Sequence, residues 1–351
     1  MTKRNRSRGG RLFLRVALFI ILPVMVLIAL GGVWWFALKP NTSLRADKSL
    51  LYIRTGATLS DVTDSLVSKG IINDVESFTW LANQKKYSDN IRPGRYRLRA
   101  NMSNNALVNL LRSGSQDPVK ITFNTIRLKQ DLANKIGSQL ECGSIALLAV
   151  LRDPAVCNKY GFDTTNILAI FIPNTYNFKW NTDANKFISR MAAEYKKWWT
   201  PERKQQAAVI NLSQTEVSIL ASIVEQESNL ATDKPIIAGV YWNRLQRDMK
   251  LEADPTVKYA LQEFGLKRIL NKHIVAGDNR YNTYLYKGLP PGPICIPSVS
   301  SLQATLDLTH HNYIFFCARP DLSGYHDFAE NMTQHLANAR NYHKKMNEMK
   351  L

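Results

Sequence analysis

Acidic residues are scarce in this chain of 351 residues: 28 Asp and Glu stand against 46 Lys and Arg, a formal net charge of +18. So large a cationic excess calls for a negatively charged partner: nucleic acid, a membrane surface or a carboxylate-bearing polymer. Cysteine is scarce as well. Cys142, Cys157, Cys295 and Cys317 form no CxxC pair, and no Cys/His cluster has zinc-ligand spacing, so no metal and no other cofactor is expected. An oxidising compartment would permit a Cys142–Cys157 bridge, and buried free thiols fit equally well. Composition also excludes extensive disorder, since 45% hydrophobic and 21% charged residues is the balance of a folded chain. The length suits two or three domains.

What is present first is a basic, then apolar, N-terminus. Lys3, Arg4, Arg6, Arg8, Arg11 and Arg15 precede an uncharged run from Val16 to Leu38. As a helix that run spans about 34 Å at roughly 1.5 Å per residue, enough for a bilayer core. A cleaved signal peptide would have a shorter apolar region and small residues before its cleavage site. Trp34 and Trp35 suit the far interface, and the cationic cluster stays on the cytoplasmic side. The reading is a cytoplasmic tail (1–15), one transmembrane helix (16–38) and an extracytoplasmic body. That location argues against nucleic acid as the anionic partner.

After a short polar connector (Pro40 to Lys48), strand and helix patterns alternate. Leu51-Tyr52-Ile53 reads as a strand. A helix follows with Leu59, Val62, Leu66 and Val67 on one stripe, Thr58 or Ser60 as N-cap and Gly70 at its end. A second amphipathic segment covers Ser77 to Lys85. Pro93-Gly94 turns into a strand at Tyr96 and Leu98, and Ser103 caps a helix closed by Gly114. This small α+β unit covers 45–117. A connecting α+β segment (118–164) holds a weaker echo of strand then helix, Ile121 to Leu140. The final body (165–347) has longer helices at 187–199, 215–228 and 233–247, loops at 171–178, 251–257 and 288–294, extended chain near Tyr313–Cys317, and a last helix from Phe328. The predicted class is α+β, with a mainly helical final body and a small sheet.

The segment NLSQTEVSILASIVEQESNL carries the chemistry. Ser213 with Glu216 three residues on is a capping-box pattern. At about 100° per residue, Glu227 falls near Leu220, Ile223 and Val224, while Glu225 lies nearly opposite, among Ser218, Ala221 and Ser222. A carboxylate on an aliphatic stripe loses hydration, which raises its pKa, and a general acid at neutral pH needs that property. A helix-end Glu paired to Lys or Arg fits the same pattern.

ASIVEQES, followed by GVYWNRL, LEADPTVKYAL, YNTY and GLPPGPI, resembles the MltG (YceG-like) family of endolytic murein transglycosylases. The resemblance implies a LysM-like domain at 45–117 and a catalytic domain at 165–347. The family's acid-x-Glu-Thr motif aligns with Glu225-Gln226-Glu227-Ser228, making Glu227 the catalytic residue. The sequence departs from the family at three places: Ile172-Pro173-Asn174 replaces Phe-Pro-Asp, Glu252 replaces Gln, and His326-Asp327-Phe328-Ala329 replaces His-x-Phe-Ser. The implied reaction cleaves the β-1,4 bond between N-acetylmuramic acid and N-acetylglucosamine in nascent strands, leaves 1,6-anhydro ends and so limits strand length. Asn243, Glu252, Asp254, Tyr281, Asn282 and Thr283 are the candidate substrate-binding groups. The implied partners are peptidoglycan glycan strands, the inner membrane and peptidoglycan synthases of the penicillin-binding class. Two other readings stay open. One is a hydrolytic muramidase pairing Glu227 with Glu252 or Asp254. The other is a non-catalytic, peptidoglycan-binding scaffold for wall synthases.

Overall fold

The computed structural model describes residues 7–43 and 49–348. Helices dominate, with small two-stranded sheets between them, so the class is α+β. The chain divides into two compact units. One runs up to Val119 and takes in Phe178–Asn181; the other holds Lys120–Asn177 and the chain from Thr182 on.

Unit 1 begins with α1 (Ser7–Val33), continued by a π-helical turn Trp34–Leu38. The stretch Val16–Leu38 is long and apolar enough to cross a membrane. After it come β1 (Leu50–Ile53), α2 (Leu59–Ser68), α3 (Val75–Gln84), β2 (Gly94–Arg97) and α4 (Asn104–Ser113). β1 and β2 pair antiparallel, with Leu51 opposite Tyr96. Thr58 caps α2 in a reciprocal box with Asp61. Ser103 caps α4, which Gly114 ends in the left-handed conformation that a residue without Cβ adopts freely. Leu51, Leu66, Phe78, Tyr96, Leu107 and Leu111 form the core of the unit. Val67, placed on the α2 stripe by periodicity, is instead exposed, because the inward face is narrow and taken by Val62 and Leu66.

The connector also departs from its expected looseness. Asn41 and Thr42 are almost fully buried. The Asn41 amide donates to Asp74 O and Asn104 Oδ1, and its Oδ1 accepts from Asp74 N, each at 2.7 Å. Phe36 packs on Trp80 with centroids 5.0 Å apart. The residues after the apolar run are thus part of the fold of unit 1. The remainder of the expected connector, 44–48, lies outside the described residues.

Unit 2 takes over inside β3 (Val119–Phe123), which pairs with β4 (Asn174–Phe178). The expected loop 171–178 therefore ends in a strand. Between them lie α5 (Lys129–Gly137), α6 (Gly143–Arg152) and α7 (Pro154–Lys159). Next come α8 (Ala184–Trp198), α9 (Pro201–Val209), α10 (Gln214–Glu227), α11 (Lys234–Gln246), α12 (Asp254–Leu261), α13 (Asn271–Ala276) and α14 (Val299–Leu306). α12 starts within the expected loop 251–257, with Pro255 in its first turn, where a missing N–H costs nothing. The GLPPGPI segment is a loop, as read. β5 (Phe315–Ala318) pairs with β6 (His326–Ala329), Phe316 opposite Phe328. The last helix, α15 (Met332–Glu348), hence starts after Phe328, which belongs to the strand. All four cysteines are free thiols, so Cys142 and Cys157 are not bridged.

Candidate active site

α10 is the axis of unit 2. Ser213 Oγ accepts from Glu216 N at 3.2 Å while Glu216 Oε2 accepts from Ser213 N at 2.8 Å, fixing the start. Every residue from Val217 to Val224 is buried. α10 is therefore not a one-sided amphipathic helix, and the contrast between an inward Glu227 and an outward Glu225 fails. α14 and α11 pack along it, so its polar side also faces protein.

Glu225 sits on that second buried side. Its carboxylate accepts from Ser298 Oγ and Ser301 Oγ at 2.5 Å, Ser298 N at 3.3 Å and Thr125 Oγ1 at 3.1 Å, and pairs with Lys234 Nζ at 3.0 Å. Burial opposes its charge, yet the serine hydroxyls and Lys234 together hold it below the usual carboxylate range. Gln226 is fixed as well, its Oε1 accepting from Arg127 Nη2 at 2.6 Å. The last turn of α10 is thus clamped on the faces that do not carry Glu227.

Glu227 ends the helix and opens on a cleft of about 410 Å³. Desolvation pushes its pKa up to about 7; a hydrogen bond from Tyr241 lowers it, the charge of Asp254 raises it, and Lys258 lowers it. Tyr241, two turns along α11, donates its hydroxyl to Oε1 at 2.6 Å. Oε2 makes no hydrogen bond within the described residues. Near neutral pH this group therefore exchanges a proton through one oxygen while the other is held.

Of the six residues expected around the acid, two line the cleft: Glu252 and Asp254. Asp254 Oδ1 accepts from Tyr284 Oη at 2.6 Å. Glu252 has a left-handed φ of 53° and pairs with Arg244 Nη1 at 3.0 Å. Its charge is thus offset by Arg244, and Asp254 is the carboxylate felt by Glu227. The other four are engaged elsewhere. Asn243 donates to His311 O and Tyr313 O, and Asn282 to Ile274 O and Gly277 O. Thr283 Oγ1 accepts from Ala253 N and pairs with Thr256 Oγ1. Tyr281 donates to Thr165 O and packs on Tyr259. Their polar atoms are satisfied by backbone or by neighbouring side chains.

Sequence reasoning missed Tyr241, Arg244, Tyr284, Phe315, Phe316 and His335, all in the cleft wall. Tyr241 and Arg244 stand in GVYWNRL, and Tyr284 follows YNT, so the signal lies in those motifs, whose side chains the fold brings to the cleft. Arg244 is buried, with Nε donating to Ile314 O and Nη1 to Lys250 O and Leu251 O. A roomier cavity of about 750 Å³ lies in unit 1 beside Tyr52 and Trp180. Its acids, Asp61 and Asp64, are exposed, and the Thr58 backbone and side chain hold Asp61 below the usual carboxylate range. Among the described residues no three His, Cys, Asp or Glu side chains converge on a possible metal site.

A buried carboxyl that holds its proton near neutral pH, beside Glu252 and Asp254 in an open cleft on a helical body, has the properties that a general acid needs. The chain carrying it belongs to the YceG-like family, whose model matches residues 51–341. It is 26% identical to an endolytic murein transglycosylase of Streptococcus pneumoniae, over 86% of this chain and 61% of that protein. The chain thus spans about 61% of the length of its pneumococcal relatives. An endolytic murein transglycosylase of Bacillus subtilis is 26% identical over 84% of this chain and 85% of its own. A crystal structure of a YceG-like protein from Listeria monocytogenes superposes with a TM-score of 0.55 at 26% identity, covering 82% of this chain and 97% of that one.

Proposed function

We propose that the chain is an endolytic lytic transglycosylase that cuts peptidoglycan glycan strands, with Glu227 as both acid and base. The observation that carries this reading is the Glu227 carboxyl, protonated near neutral pH and held through Oε1 alone. Oε2–H protonates the oxygen linking N-acetylmuramic acid to N-acetylglucosamine, and the C1–O bond breaks as that oxygen leaves as a hydroxyl. The Glu227 carboxylate then takes the proton of the muramic C6 hydroxyl as its oxygen bonds to C1. The products are a 1,6-anhydro end and a new N-acetylglucosamine end; no water is consumed. Asp254 supplies negative charge beside the oxocarbenium-like state, and Tyr241 stabilises the transient Glu227 carboxylate.

The presence of Asp254 in the same cleft also supports a second reading, a hydrolytic muramidase in which it activates water. Mass spectrometry of products from uncrosslinked glycan separates the two: anhydro ends support the transglycosylase, and reducing ends refute it. Cleavage of nascent strands would limit their length beside the synthases. The apolar run Val16–Leu38 supports an inner-membrane anchor with a cytoplasmic N-terminus, and the small α+β unit at 45–117 is proposed as a LysM-like module. Protease protection of the basic tail in sealed inverted and right-side-out vesicles tests that orientation.

A further inference from the structure

The first turns of α15 form a wall of the cleft. Met332, His335 and Leu336 share one helical stripe and line it. Met332 and Leu336 remain 52% and 50% exposed, an apolar pair that the fold leaves uncovered. Between them the His335 ring stacks on Phe315, centroids 5.1 Å apart and planes 18° from parallel. Its Nδ1 is buried without a partner, and Nε2 makes no hydrogen bond within the described residues. Nδ1, being buried, is out of a ligand's reach; Nε2 is the ring nitrogen left accessible and unengaged. Burial and then the nearby Arg244 charge hold the imidazole below its usual pKa, so the ring is neutral, with one N–H and one lone pair. A neutral ring does not select an anion. Arg244 is already engaged by three carbonyls and Glu252.

We propose that Met332, His335 and Leu336 form a binding wall for an N-acetyl group of the glycan. The acetamido group presents a methyl beside a planar donor and acceptor, the complement of an apolar–polar–apolar stripe. Its methyl packs on Met332 and Leu336, and the accessible Nε2 of His335 hydrogen-bonds its amide. The inference rests on the glycan-cutting reading of the cleft and adds the substrate feature that it recognises.

The test measures binding of an N-acetylglucosamine tetramer to the full chain in detergent micelles, with Glu227→Gln present to stop turnover. His335→Ala should weaken the Kd roughly tenfold, and Leu336→Ser by several-fold. His335→Gln, which keeps a donor and an acceptor, should stay within about threefold of the parent. In the turning-over enzyme the His335→Ala loss should fall on KM, with kcat retained. Equal binding by parent and His335→Ala, or no binding by the parent, overturns the wall. A loss shared in full by His335→Gln and matched by a lower Tm overturns it too, since that marks a structural role. If the tetramer binds as expected and the parent cleaves no glycan, the proposed reaction falls and the wall stands.

Discussion

Two acids two residues apart, Glu225 and Glu227, are given opposite properties by their surroundings. Glu225 has five donors and is kept ionised; Glu227 has one and is kept protonated. Glu227→Gln should abolish glycan cleavage, because an amide keeps the shape and transfers no proton. It should also change stability with pH. The folded pKa of about 7 exceeds the ordinary glutamate value of 4.5, so this group favours folding fully below pH about 4.5 and loses that contribution as pH rises through 7. The shift corresponds to ~3 kcal/mol. The Gln variant should therefore match the parent in urea unfolding at pH 4.5 and exceed it at pH 8. Glu225→Gln should instead lower stability by about 3 kcal/mol, since it leaves buried Lys234 without its counter-charge, and activity should fall with the Tm. A pH–rate profile separates the neighbours. Asp254→Asn removes a charge that raises the Glu227 pKa, so the alkaline limb should move down; Glu252→Gln, offset by Arg244, should leave it in place. Tyr241→Phe removes a bond that lowers that pKa, so the limb should move up. Its kcat should fall roughly tenfold or more through loss of a charge-assisted hydrogen bond. A profile that moves the other way for either Asp254→Asn or Tyr241→Phe contradicts the electrostatic assignment.

At the scale of elements, start signals were the most legible features. Thr58, Ser103 and Ser213 each cap the helix expected of them, because a cap is a local hydrogen bond that needs nothing distant. The helical wheel of α10 misled for the opposite reason: packing by α11 and α14 buries the serine side too, and no local pattern announces a second neighbour. Glu227 was legible through its motif, whereas His335 comes from a helix over a hundred residues later and gives no signal in its own polar segment. β4 is hard to read because its partner β3 lies far back along the chain, and β6, although adjacent to β5, because four residues carry too little alternation to announce a strand. Close packing of α11 is itself testable. A Cβ at Gly239 would stand 2.3 Å from Thr309 O and 2.7 Å from His311 Nε2. Gly239→Ala should shift the helix that carries Tyr241 two residues on. Thermal unfolding should show a loss of about 1–3 kcal/mol, with kcat reduced beyond that loss; wild-type stability would mean that α11 has slack.

For the whole molecule, the question is where the apolar run ends and the folded body begins. Composition located the apolar run correctly, because hydropathy is additive along a chain. It also predicted a polar connector at Pro40, since Pro, Asn, Thr and Ser are loop residues by type. Packing makes them otherwise. Asn41 satisfies three groups of Asp74 and Asn104, Thr42 Oγ1 donates to Arg99 O and accepts from Met102 N, and both side chains are buried. Phe36 covers Trp80, and its carbonyl accepts from Asn104. A chain that begins at Pro40 keeps Asn41 and Thr42 and should be soluble, folded and able to cut glycan. A chain that begins at Ser49 leaves Asp74, Arg99, Met102 and Asn104 short of partners. Each deficit costs about 1–3 kcal/mol where the group stays buried, comparable in sum to the stability of a small domain. Unit 1 should then melt well below its counterpart in the longer chain, or fail to fold, while the core of unit 2 is intact. Circular-dichroism melts of the two chains, with hydrogen exchange at the α3 and α4 amides, measure this. Equal protection of those amides in both chains would mean that the residues after the apolar run are a tether after all.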